Sequence, residues 1–191
     1  MKIVFLGDSL TKGTSYGGVT TTDTFAYKIG IATGYLAAEI INAGVNGDTS
    51  ANALARLNTD VIAYNPAVCS IMIGINDWAT GVPVSTYQAN MRSIIQGLLS
   101  ANIRPVCMSS VMQRGSTSDF AGFKPYLEAL QSLMYEMNLR YVDIYREYAY
   151  SYLYLTSTAF NANYADILHQ TPTGHSFIAS IAARQKNIFT P

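Results

Sequence analysis

The chain opens Met1-Lys2-Ile3-Val4-Phe5-Leu6-Gly7-Asp8-Ser9-Leu10. Ile3 to Leu6 are apolar without a break, and Gly7 stops the run. A run this short reads as a strand, not as the core of a leader peptide or a membrane helix. Its lack of alternation fits a strand buried on both faces. The first strand is therefore expected over Lys2–Leu6. Comparable runs follow at Glu39–Asn42, Ala67–Ile73, Arg104–Ser109 and Arg140–Ile144. Each leads into a loop carrying Gly, Ser, Thr or Asn, the residues that turn a chain.

Helical patterns lie between these runs. Ser85 with Gln88 reads as a capping box. After it, Met91, Ile94, Ile95, Leu98 and Leu99 recur at the spacing of one helix face. Ser50 is expected to cap a helix carrying Leu54, Leu57, Val61 and Ile62. Pro125 suits a first turn ahead of Tyr126, Leu130, Leu133 and Met137. Thr171-Pro172 opens a last helix with Phe177, Ile178 and Ile181 inward. Strands alternating with helices predict an α/β fold, a parallel sheet covered on both faces. No repeat or linker interrupts residues 1–191, so one domain is expected. Such sheets place their chemistry at the carboxyl ends of the strands.

Composition narrows the chemistry. The 191 residues carry 12 basic and 12 acidic side chains, and only 13% are charged. That balance argues against a nucleic-acid partner, which needs basic side chains to neutralise phosphates. Two histidines and two cysteines leave little for a metal cluster or a disulfide scaffold. No apolar stretch is long enough to span a membrane, and the chain as written shows no signal peptide. A soluble protein is expected, with the compartment and oligomeric state open.

Three loops after predicted strands, and one near the C-terminus, hold reactive groups. Gly7-Asp8-Ser9-Leu10 presents a serine on a tight turn. Asn42-Ala43-Gly44-Val45-Asn46-Gly47-Asp48-Thr49-Ser50 exposes backbone N–H groups ahead of a helix. Gly74-Ile75-Asn76-Asp77 can aim an amide into the crevice. Asp166-Ile167-Leu168-His169 sets a carboxylate three residues before an imidazole, where it can fix the ring tautomer. Taken singly, each reads equally well as a turn or a cap. Together they supply a nucleophile, a base with its orienting carboxylate, and oxyanion donors.

In this order the four blocks resemble the GDSL/SGNH hydrolase superfamily. The resemblance implies a flavodoxin-like three-layer α/β/α fold with five parallel strands. It implies Ser9 as nucleophile, His169 as base and Asp166 as its partner. It implies an oxyanion hole from the N–H groups of Ser9 and Gly47 and the amide of Asn76. No metal or cofactor is needed for that chemistry. The second block, with Leu54, Arg56 and Leu57, is similar to bacterial thioesterase, lysophospholipase and arylesterase members. Gln170 stands where many members carry proline, and Ile75 where others carry Gly or Thr.

Other residues read as support. Asp8, Asp48 and Asp77 are expected to brace loops rather than bind a metal. His175 is expected to pack or cap, and Cys69 and Cys107 to be buried thiols. The chain has 14 tyrosines, half of them between residues 141 and 164. Alternation at Tyr148, Tyr150, Tyr152 and Tyr154 reads as an extended or irregular stretch leading towards His169. Tyr164, Tyr16 in the Gly13–Thr22 loop, and Trp78 are the candidate substrate-binding residues. Flat amphipathic rings suit a sugar, so the expected partner is a small-molecule or glycan ester with a short acyl group. The alternatives are a thioesterase or lysophospholipase, a glycan-binding module without catalysis, and a phosphate or flavin binder using Gly13–Gly18.

Overall fold

The structure is a computed structural model and describes residues 1–114 and 122–190. Five parallel strands form one sheet in the order β2-β1-β3-β4-β5. The chain runs β1 (Ile3–Gly7), α1 (Ser9–Lys12), α2 (Phe25–Ala32) and β2 (Ile40–Gly44). It continues through α3 (Ser50–Ala55), α4 (Leu57–Asp60), β3 (Val68–Met72) and α5 (Ile75–Ala79). Then come α6 (Val84–Ser100), β4 (Arg104–Met108), α7 (Lys124–Glu136) and β5 (Tyr141–Val142). The described helices close with α8 (Ile144–Tyr154), α9 (Ser157–Asn161) and α10 (Pro172–Ala183). Helices α2, α8 and α10 pack together, and α3, α6 and α7 form a second group. The expected three-layer α/β/α arrangement is the one observed.

The core follows from the unbroken strands. All five residues of β1 and all five of β3 are buried. Helices cover both faces, so no polar alternation is required. In register, Gly7 sits beside Gly44 on one side and Met72 on the other. The loops after β1, β2 and β3 therefore leave the sheet along one edge. Strand order reverses direction at β1, which makes this edge the switch point of the sheet. Among the described residues, no helix is long and apolar enough to cross a membrane.

Local readings depart from the structure at several places. The one helix expected to carry Leu54, Leu57, Val61 and Ile62 is broken at Arg56 into α3 and α4, and Val61 and Ile62 lie beyond α4. Helix α6 starts after Pro83 and has no side-chain cap, so Ser85 and Gln88 do not form a capping box. Leu99 lies on its solvent side, 46% exposed. Thr49, not Ser50, caps α3 by accepting the Asn52 N–H. β5 has only two residues, because Asp143 accepts the Arg146 N–H and starts α8 at once.

The tyrosine stretch is another, and it is helical. Ile144 and Tyr148 are buried and Tyr145 and Ala149 half-buried, the stripe a helix presents. Tyr150 and Tyr154 fall on the open side, and Tyr152, one turn after Tyr148, packs its ring edge-on against Phe160. The Tyr148 ring meets Phe160, Tyr164 and Phe177 edge-on. Its hydroxyl donates to Gln170 Oε1 at 2.6 Å, while Gln170 Nε2 donates to the Leu168 carbonyl at 2.8 Å. Tyr148 and Tyr164 thus build the floor under the Asp166–His169 turn. Gln170 acquires a structural reason: it ties that floor to the turn.

Candidate active site

Asp8 follows β1 and caps α1, its Oδ1 accepting the Leu10 N–H at 2.9 Å. This places Ser9 in the first turn of α1, at the sheet edge. Across the crevice, Asp166 folds its own turn. Its Oδ1 accepts the N–H groups of Leu168 and His169, both at 2.7 Å. The Ala165 N–H donates to the His169 carbonyl at 2.8 Å and closes the loop. The other carboxylate oxygen, Oδ2, lies 2.7 Å from His169 Nδ1. His169 Nε2 lies 2.9 Å from Ser9 Oγ. The three residues singled out for nucleophilic chemistry are thus in hydrogen-bond contact in series.

Burial acts to raise the Asp166 carboxyl. The N–H groups of His169 and Leu168, then the His169 ring, overcome it and hold the group below 3.8. An ionised Asp166 keeps the shared proton on Nδ1. The Nε2 lone pair is then free to accept the Ser9 hydroxyl.

Gly47 and Asn76 lie on the neighbouring loops. Gly47 adopts φ +79 in the turn after β2. Among the described residues its N–H has no acceptor. Asn76 Nδ2 donates to the Asp48 carbonyl at 2.9 Å. That bond orients the amide and commits one of its two N–H groups. The second remains available. Asn76 is in α5, whose N-terminus adds partial positive charge beside the crevice.

Charged side chains join these loops. Arg56 Nε pairs with Asp48 Oδ2 at 2.6 Å, and its Nη2 donates to the Gly7 carbonyl at 3.0 Å. Asp77 accepts the Ser50 N–H at 2.8 Å and also the Ser50 hydroxyl. The aspartates brace loops, as expected, although Asp48 does so through Arg56. Sequence reasoning misses this role of Arg56. An arginine eight residues after Asp48, at the end of α3, is the available signal.

The three candidate substrate-binding residues separate. Tyr164 is buried, packs on Tyr148 and Phe160, and donates its hydroxyl to the Met112 carbonyl. It belongs to the floor and not to the pocket wall. Trp78 is half-buried with its ring tilted against Phe123 at 6.0 Å. Tyr16 stacks face to face on His169.

His175 is buried in α10, and its Nδ1 accepts the Phe25 N–H at 3.2 Å. It packs and caps, as expected. Burial, helped by the Lys28 charge, pushes its imidazole from 6.5 down to about 4. Burial pushes the Asp8 carboxyl the other way, from 3.8 up to about 7, against the Leu10 N–H and with Asp48 and Asp77 adding. The linkage signs oppose. Asp8 contributes most stability below pH 3.8, and this is lost as pH rises through about 7. His175 contributes most above pH 6.5, and this is lost as pH falls through about 4. Between those limits the two largely cancel. Asp8→Asn is expected to make unfolding free energy rise with pH across this window, and His175→Asn to make it fall. Urea titrations at about pH 4 and pH 7 measure both slopes. Wild-type slopes in both variants would refute the assignment.

The chain is similar to several known proteins. The acetylxylan esterase of Geobacillus stearothermophilus is 33% identical over 114 residues, 49% of this chain and 52% of that protein. Thioesterase 1/protease 1/lysophospholipase L1 of Escherichia coli is 32% identical over 69 residues, 36% of this chain and 33% of that protein. The matched stretches therefore span about half of the first relative and a third of the second. The crystal structure of the same acetylxylan esterase superposes with a TM-score of 0.79 at 24% identity, covering 97% of this chain and 93% of the other. That of an Enterococcus faecalis lipase/acylhydrolase gives 0.78 at 24%, covering 97% and 95%. At such identities the likeness is one of fold. The profile of the GDSL-like lipase/acylhydrolase family matches residues 5–177, and with nearly the whole chain matched, the protein belongs to that family.

Proposed function

We propose that this protein is a serine esterase that cleaves short acyl esters, acetyl first, carried on a carbohydrate. The observation that carries the proposal is the series Ser9 Oγ, His169 Nε2, His169 Nδ1 and Asp166 Oδ2, with spacings of 2.9 and 2.7 Å. Ser9 attacks the ester carbonyl while neutral His169 takes its proton. The charge that develops on the carbonyl oxygen meets the Ser9 and Gly47 N–H groups and the spare N–H of Asn76. His169 then protonates the leaving alcohol. Water, deprotonated by the same ring, releases the acid and restores Ser9.

The acetyl and sugar parts draw support from the acetylxylan esterase relative. The aromatic rings near residue 164 no longer carry that argument, because Tyr148 and Tyr164 are buried. The Escherichia coli relative favours a second reading, hydrolysis of thioesters or lysophospholipids. A series of nitrophenyl esters from acetyl to octanoyl separates the two. Acetyl is expected to turn over fastest, and acetylated xylo-oligosaccharides to release acetate. Octanoyl esters or acyl thioesters cleaved far faster than acetyl esters would overturn the sugar-acetate reading. Labelling of Ser9 by a fluorophosphonate distinguishes a catalyst from a glycan-binding module.

A further inference from the structure

We propose that Tyr16 is a positioning residue for His169 and not part of the substrate wall. The Tyr16 ring lies parallel to the imidazole, 7° between planes and 3.4 Å between centroids. His169 is held by Ser9 at Nε2 and by Asp166 at Nδ1. The lone pair and N–H of an imidazole are directed in the ring plane. The two hydrogen bonds leave one freedom, a tilt about the line joining the two nitrogens. A flat ring against the face of the imidazole removes it.

The loop that carries Tyr16 is fastened for this task. The Tyr16 N–H donates to the Gly13 carbonyl, and the Val19 N–H to the Tyr16 carbonyl. Ser15 Oγ accepts the Asn46 amide at 3.2 Å, which ties the loop to the Gly47 turn. Gly17, at φ +56, is so close to the His169 turn that a Cβ there would lie 2.9 Å from Ala165 Cβ. The loop therefore reaches both the proposed oxyanion loop and the turn bearing the base. The contact also has a chemical consequence. When His169 takes the Ser9 proton it becomes a cation beneath the negative face of an aromatic ring, which stabilises it. The charge disappears again when the proton passes to the leaving alcohol.

This inference rests on His169 being the base of the proposed esterase. Tyr16→Phe keeps the ring face, and Tyr16→Leu keeps only apolar bulk. With nitrophenyl acetate, Tyr16→Phe is expected to stay within about twofold of wild type. Tyr16→Leu is expected to lose about three- to tenfold in kcat with KM nearly unchanged, the range a single aromatic stack supplies. Only two histidines contribute ring signals, so 13C-labelled histidine gives a direct readout. The His169 ring protons are expected upfield in wild type and Tyr16→Phe, and shifted downfield in Tyr16→Leu. A raised KM with unchanged kcat in Tyr16→Leu would return Tyr16 to the substrate wall. Equal losses in both variants would assign the effect to the hydroxyl, and unmoved His169 signals would refute the stack. Any of these overturns the positioning role while fluorophosphonate still labels Ser9. A wild-type protein that neither labels nor cleaves esters would instead overturn the esterase reading itself.

Discussion

Ser9→Ala is expected to lower kcat on nitrophenyl acetate on the order of 10⁶-fold, the loss seen when the nucleophile of such a relay is removed. Ser9 Oγ is the hydroxyl within reach of His169 Nε2. Without it no acyl-enzyme forms, and the residual rate comes from oxyanion donors acting on water. The fold has little reason to change. Ser9 sits in the first turn of α1, while Asp8 supplies the cap. The thermal transition of Ser9→Ala should match wild type within a few degrees, and fluorophosphonate should no longer label it. A variant that retains more than roughly one per cent of wild-type kcat would sink the assignment of Ser9 as nucleophile.

Asp166→Asn is expected to cost about 10⁴ in kcat with KM nearly unchanged, because it reverses the tautomer of the base. The carboxamide introduced there would keep an oxygen for the Leu168 and His169 N–H groups that Asp166 Oδ1 now accepts. Its nitrogen would then face His169 Nδ1. Two donors cannot share that contact, so Nδ1 would give up its hydrogen and Nε2 would acquire one. The protonated Nε2 can no longer accept the Ser9 proton. Since the turn is kept, the loss should appear mainly in kcat, with only a small fall in stability as the favoured carboxylate is lost. If Asp166→Asn keeps more than about a tenth of wild-type kcat, another group orients His169.

Sequence patterns reach the sheet well and the side-chain network poorly, for physical reasons. Strands buried on both faces must be apolar throughout, so β1, β3 and β4 fall within a residue or two of their expected limits. The loops after β1, β2 and β3 also lie where the pattern puts them, since a parallel sheet gathers its strand ends at one edge, whereas the Asp166–His169 turn reaches that edge from between α9 and α10. Ser50 shows what local reading misses. It reads as a helix cap, yet its hydroxyl and N–H both serve Asp77, 27 residues away. The stretch around Tyr148 misleads for another reason. Tyrosine is apolar in its ring and polar at its tip, so Tyr148, Tyr150, Tyr152 and Tyr154 imitate a strand although Tyr150 and Tyr154 lie on the solvent side of a helix. The stack of Tyr16 on His169 joins residues far apart in the chain, and no local pattern encodes it.

The proposed relay is made of two unequal contacts. Asp166 and His169 are three residues apart and meet within one turn, whereas Ser9 and His169 are 160 residues apart. The first pairing can form as soon as that turn does. The second requires the loop before α10 to find the end of the first strand, a long-range closure that carries an entropic cost. During refolding, helix and sheet signals can return before the ends of the chain are joined, but ester hydrolysis cannot. Recovered activity therefore marks the moment at which the topology is complete.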